Sequence, residues 1–239
     1  MTEVHPEPAA AFQDLLLDAE ELQAYLSELA VLAVTLLGSS HVLGCSVLID
    51  RSRRTRAEAH SDERTARMAQ AVFAPGGPGA ETLSSGTSVV VTDAWNERRW
   101  DGFLGTAAAE GTRSLAAVPL ALEGSARGAL CAFSPRPHLF QPRVLRMVER
   151  TAAEASRTVR LALRIDAHMN RARNLQAALE SRTVVDIAVG IIMAQNSCSQ
   201  EAAVEILRSV SNTRNIKIRT VAAGVVAAVS DRVSTHFEE

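Results

Sequence analysis

The chain has 239 residues, of which 47% are hydrophobic and 22% charged, with a formal net charge of −2 at pH 7. That length admits one or two domains, and the apolar content excludes a disordered chain. The balance excludes a uniformly basic protein, but the charge is uneven: residues 1–140 carry 11 Arg against 17 acidic residues, and residues 141–239 carry 14 Arg and Lys against 10. Only the C-terminal portion is suited to a polyanion.

Residues 1–10 are polar and read as a disordered leader. From Ala11 to Leu37, Phe12, Leu15, Leu16, Ala19, Leu22, Leu26, Leu29, Ala33 and Leu36 recur every three or four residues, which predicts one helix ended by Gly38-Ser39-Ser40. Val42–Asp50 reads as a strand. Thr55–His60 can pair with it through a turn at Arg51–Arg54. A helix over Ser61–Phe73, capped by Ser61 or Asp62, precedes a Pro/Gly loop at Pro75–Gly79. Ser88–Thr92 is a short strand, and Ala107–Glu110 lies in a helix ended by Gly111. Ser114–Leu122 and Arg127–Phe133 form a strand pair across Glu123–Ser125. Helices flanking an antiparallel sheet give an α+β sandwich over residues 11–140.

Between Pro142 and Gly190 there is neither Gly nor Pro. Leu145, Val148, Ala152, Ala155, Val159 and Ala162 form one stripe; Leu161, Ile165, His168, Ala172, Leu175 and Leu179 form a second, shifted one. A single helix here is about 70 Å long. One small domain cannot hide such a stripe, which predicts a connecting coiled coil over 141–174 and a homodimer. The alternative is two antiparallel helices broken near Asp166–Asn174. Residues 175–235 then read as three short helices. Val184, Val185, Ile187, Ala188, Ile191 and Ile192 face the core of the first, and Ser199 caps the second, which carries Ala202, Ala203, Ile206, Leu207 and Val210. Ser211–Asn215 is polar and turn-like, and Val221, Ala222, Val225, Val226 and Val229 stripe the third.

The chain offers little catalytic chemistry. Its six histidines form no metal-spaced pair, and no nucleophile elbow, Walker loop or paired catalytic carboxylate is present, so neither enzyme activity, a metal nor a cofactor is expected. Cys45, Cys131 and Cys198 are odd in number and lie among small or apolar residues, as reduced thiols do. Trp95, Trp100 and Phe103 either line a small-molecule pocket or fill the core. No run of about 20 apolar residues and no basic leader is found, so a cytoplasmic protein without a membrane span is expected.

Two resemblances add to this reading. Gly111-Thr112-Arg113-Ser114, Val118-Pro119-Leu120 and Gly128-Ala129-Leu130, with Asp93 to Trp100 ahead of Phe103, resemble a GAF domain over about residues 20–160. Leu175-Gln-Ala-Ala-Leu-Glu-Ser-Arg182, Ile187 to Ser199, Glu201 to Arg208 and Ser211 to Ala223 resemble an ANTAR domain. The whole is similar to GAF-ANTAR proteins of the actinobacterial type. The resemblance implies a GAF-like sandwich, a long connecting coiled-coil helix and a three-helix all-α ANTAR module. It implies a transcription antitermination regulator that binds stem-loop RNA, with an unknown small molecule as a candidate GAF ligand. The RNA-binding residues expected are Arg182, Ala188, Gly190, Met193, Ser211, Arg214, Asn215, Lys217 and Arg219, with arginine for phosphates and amide or hydroxyl groups for bases. Gly190 either admits close backbone approach or serves tight helix packing. Where many ANTAR sequences place a lysine before that glycine, this chain has Val189, which takes away one cation for phosphate. The alternatives are a DNA-binding helical regulator, disfavoured by the Val/Ala/Gly-rich third helix, and a sensor acting only through protein partners.

Overall fold

The computed structural model describes residues 8–18, 21–38, 40–51 and 56–234. The chain divides into two compact units, Met1–Asp166 and Ala167–Glu239.

The first unit opens with two helices, not one: α1 (Pro8–Asp18) and α2 (Leu22–Leu37). Pro8 to Ala10, expected in a disordered leader, already belong to α1; the rest of the leader, together with Ser39 and most of the Arg51–Arg54 turn, lies outside the described residues. Glu21 takes an extended conformation, φ −133° and ψ 151°, and caps α2. Its carboxylate suits the positive end of the new helix, so the single amphipathic run is cut there. Strands β1 (Gly44–Asp50) and β2 (Ala57–His60) follow, then α3 (Glu63–Val72). Of the two cap candidates Asp62 is used, accepting from the Thr65 N–H at 2.7 Å.

The Pro/Gly stretch is only partly loop. Helix α4 (Pro78–Ser85) starts at Pro78, whose fixed φ suits the first helical position. Gly79 is there for clearance, since a Cβ would lie 2.6 Å from Val72 Cγ1. β3 (Val89–Val91) and α5 (Asp101–Ala109) follow, with Gly111 at φ 68° turning the chain into β4 (Ser114–Leu120) and then β5 (Arg127–Ser134). The antiparallel sheet has the order β2-β1-β5-β4-β3.

Strand alternation sorts the sheet into two faces. Val47, Ile49, Val118 and Leu130 face a core shared with Phe12, Tyr25, Leu29 and Ala33 of α1 and α2. Leu48, Leu115, Cys131 and Phe133 face a second core with Met68, Val72 and Phe103 of α3 and α5.

Helix α6 (Pro142–Asn196) is continuous over 55 residues, with no break near Asp166–Asn174. Val148, Ala152, Ala155, Val159 and Ala162 are buried in the first core, so the first of the two stripes on this helix is hidden within the first unit itself. The sheet supplies the cover for it, which periodicity along α6 does not reveal. The Tyr25 hydroxyl donates to Thr158 Oγ1, and Arg51 pairs with Asp166 at 2.8 Å, fastening α6 to α2 and to the residue after β1.

The second unit contains the end of α6, α7 (Gln200–Arg214) and α8 (Ile218–Ser234). Ser199 caps α7, accepting from the Ala202 N–H. Its buried hydrophobic residues are Ala188, Val189, Ile192, Ala203, Leu207 and Ala222. Ile187, expected on this face, is 48% exposed; the stripe centres instead on 188, 189 and 192.

Candidate nucleic-acid interface

Ser211 to Arg214, expected as turn, complete α7; the reversal is confined to Asn215, Ile216 and Lys217. Asn215 sits in the left-handed region, φ 50° and ψ 43°, which asparagine tolerates. Ser211 Oγ donates to the Ile216 carbonyl at 2.6 Å. Ser211 and Asn215 thus hold the turn in shape. Arg214, Lys217 and Arg219 are exposed there, and the ion pairs found among the described residues include none of them. Lys217 occupies the cap position of α8, its carbonyl accepting from the Thr220 and Val221 N–H groups. A lysine side chain has no acceptor to offer a helix N-terminus, and its charge meets the positive end of the helix dipole. Residues 214–219 carry three cations and no acidic residue, which raises the potential at one end of α8.

The residues expected on α6 are distributed differently. Arg182 is exposed and pairs with Asp186 at 3.7 Å. Gly190 is exposed, and a Cβ there would meet nothing within 4 Å, so the tight-packing reading finds no neighbour among the described residues. Met193 is half-buried against the core. Ala188 is fully buried at 0% and lies out of reach of a ligand, a correction to its place in the expected site. Val189 is also buried, at 5%, so its side chain fills the core and the position does not face an RNA surface.

At about 100° per residue, Arg182, Gly190 and Met193 share one flank of the α6 core stripe. Ala177, Glu180 and Val184 share the other, where they line a groove of about 350 Å³ with Arg219, Thr220 and Ala223 of α8. The structure therefore brings Arg219 to the Glu180 flank and not to Gly190. Sequence reasoning missed Glu180 and Thr220; the i, i+3, i+7 spacing of 177, 180 and 184 was the available signal.

The three aromatics of the first unit do not line one pocket. Trp100 and Phe103 are buried in the second core, whereas Trp95 is 68% exposed. The Arg113 guanidinium lies 3.7 Å from the Trp95 ring centroid and donates twice to Asp93, at 2.9 and 2.8 Å. These hydrogen bonds, with those from the Trp95 backbone and Asn96, hold the Asp93 carboxyl down at about 2. Burial pushes the thiols of Cys45 and Cys131 up, which leaves them unreactive. Among the described residues no group of three or more His, Cys, Asp and Glu is placed to hold a metal ion, and no helix is long and apolar enough to cross a membrane.

One unit is thus an antiparallel sheet with helices on both faces, and the other is a small helical unit with a cationic turn. The GAF domain model matches residues 21–159 and the ANTAR domain model matches residues 173–226. The chain belongs to the GAF domain family and carries a C-terminal ANTAR domain. No curated protein matches it. Among solved structures, it is similar to the N-acylhomoserine lactone dependent LuxR family transcription factor CepR2 of Burkholderia cenocepacia (18% identity, 67% of this chain and 96% of that one, TM-score 0.50). Further matches are the free methionine-R-sulfoxide reductase of Neisseria meningitidis (17%, 69% and 99%, TM-score 0.44) and the nlh2 GAF domain of A. Aeolicus (13%, 66% and 94%, TM-score 0.46). The likeness to CepR2 speaks to fold alone.

Proposed function

We propose that this protein is a cytoplasmic transcription antitermination regulator that binds stem-loops in nascent RNA through its ANTAR domain, under control of the GAF unit, and that it is not an enzyme. The observation that carries the reading is the exposed turn of Arg214, Lys217 and Arg219, which lacks ion-pair partners among the described residues. Cations held this way are available to phosphates, and splayed loop bases can be read beside them. A DNA-reading helix is less well supported, because the exposed positions described in α8 beyond Thr220 are Ala223, Gly224, Ala227 and Ala228. An unidentified small molecule bound by the GAF unit is the proposed input.

The proposed active form is a homodimer. Leu161, Ile165, His168, Ala172, Leu175 and Leu179 alternate spacings of four and three along α6, and Leu175 and Leu179 are 67% and 62% exposed. That is a heptad seam, for which a second copy is the natural cover.

The test is gel-shift binding of the full chain to structured RNA hairpins and to matched duplex DNA at two salt concentrations. Replacing Arg214, Lys217 and Arg219 with Ala together is expected to weaken hairpin binding at least tenfold and to flatten its salt dependence. Equal binding of duplex DNA, or binding unchanged in the triple variant, overturns the reading.

A further inference from the structure

We infer that the groove between α6 and α8 is a base-reading pocket in which Glu180 recognises a guanine splayed from the RNA loop, an inference that rests on the RNA reading above. The groove volume of about 350 Å³ falls at the lower end of small-ligand sites, about 300–1,000 Å³. Its walls divide by chemistry. Ala177, Val184 and Ala223 are apolar and suit the face of a base; Arg219, Thr220 and Glu180 are polar. Arg219 belongs to the cationic turn, so a strand whose phosphates sit on that turn is already beside the groove.

Glu180 is the informative member. A carboxylate repels phosphate, and it can only accept hydrogen bonds. Beside RNA, its free acceptor suits the N–H donors of a base edge and not a phosphate. Its orientation is set from its own helix: Gln176 Nε2 donates to Glu180 Oε1 at 2.9 Å, and Oε2 has no hydrogen-bond partner among the described residues. Guanine is the base whose Watson–Crick edge presents two adjacent donors, the imino N1–H and the amino group, to a bidentate carboxylate. Adenine, cytosine and uracil each present one donor position there. The Thr220 hydroxyl, donor or acceptor, can serve a second atom of the same ring.

The experiment selects hairpins with a randomised loop on the full-length wild type, on E180Q and on E180A, and sequences the bound pools. Glu180 is exposed, so the variants should keep the wild-type far-UV circular dichroism. The expected result is enrichment of guanine at one loop position by the wild type, with a preference of about tenfold that falls to near parity in both variants. Inosine at that position, which lacks the amino group, should weaken wild-type binding and leave E180A unaffected. Binding of the guanine hairpin should fall by about tenfold in E180A, while hairpins with another base at that position should bind no worse in either variant. Enrichment of another base, or a guanine preference that survives in both variants, overturns the pocket while leaving RNA binding standing. Failure of the wild type to bind any hairpin overturns the RNA reading and the pocket with it.

Discussion

The two units solve burial in opposite ways. The GAF unit covers both faces of its sheet and draws in the first part of α6, with phenylalanine, tyrosine, leucine and methionine among its fully buried side chains. Among the described residues, the ANTAR unit buries six hydrophobic side chains, three of them alanines. Apolar burial scales with area, at about 25 cal/mol per Å², so the smaller core is the weaker. The lesson is that a module can carry a clear family pattern on a far smaller core.

The sharpest way to break that contrast is Leu207→Ala. Leu207 is 1% exposed and is the largest side chain fully buried in the ANTAR core. The substitution should cost about 2–5 kcal/mol, enough to melt the unit. Both tryptophans, Trp95 and Trp100, lie in the GAF unit, so fluorescence follows that unit alone while far-UV circular dichroism follows both. The variant should lose helical signal at low temperature with its fluorescence transition unmoved. Coincident transitions in both probes would show one cooperative molecule in place of two.

A smaller effect is expected from the seam. Leu175→Asp with Leu179→Asp should raise the dimer dissociation constant by roughly a hundredfold in sedimentation equilibrium. A wild type that is monomeric at every concentration rules the seam out as an interface. Smaller again is Asp93→Asn, which should lower the fluorescence melting midpoint by several degrees through loss of its charged pairing with Arg113. The Asp93 carboxyl is held at about 2, below its ordinary value of 3.8. Its contribution is therefore complete above about pH 4 and is lost as pH falls toward 2. Wild type and variant should converge across that window. A deficit that persists unchanged at pH 2 would show that shape, not charge, holds the loop.

Periodicity made the long helix and the three ANTAR helices legible, because each buries one face; the central strands, buried on both faces, were legible as short apolar runs bounded by turns. Ser199 was legible as a cap for the same local reason. The break at Glu21 and the start of α4 at Pro78 were not, since each turns on a backbone conformation inside a run that reads as uniform. The site was harder. Ser211 and Asn215 were singled out for RNA but hold the turn, and Ala188 went to the core, because spacing alone does not say which side of a helix its neighbours will occupy. Glu180 escaped notice for the same reason: its meaning depends on α8 lying alongside.

Lys217 is the single lysine among 24 arginines, and it stands exposed at the cap of α8. Its ε-amine is accordingly the chain's one side-chain amine open to acylating reagents and transferases. A lone acetyl group would strip a positive charge from the turn that faces the proposed RNA and touch no other side-chain amine. The same chemistry turned to use would attach a probe or a crosslinker at one defined place.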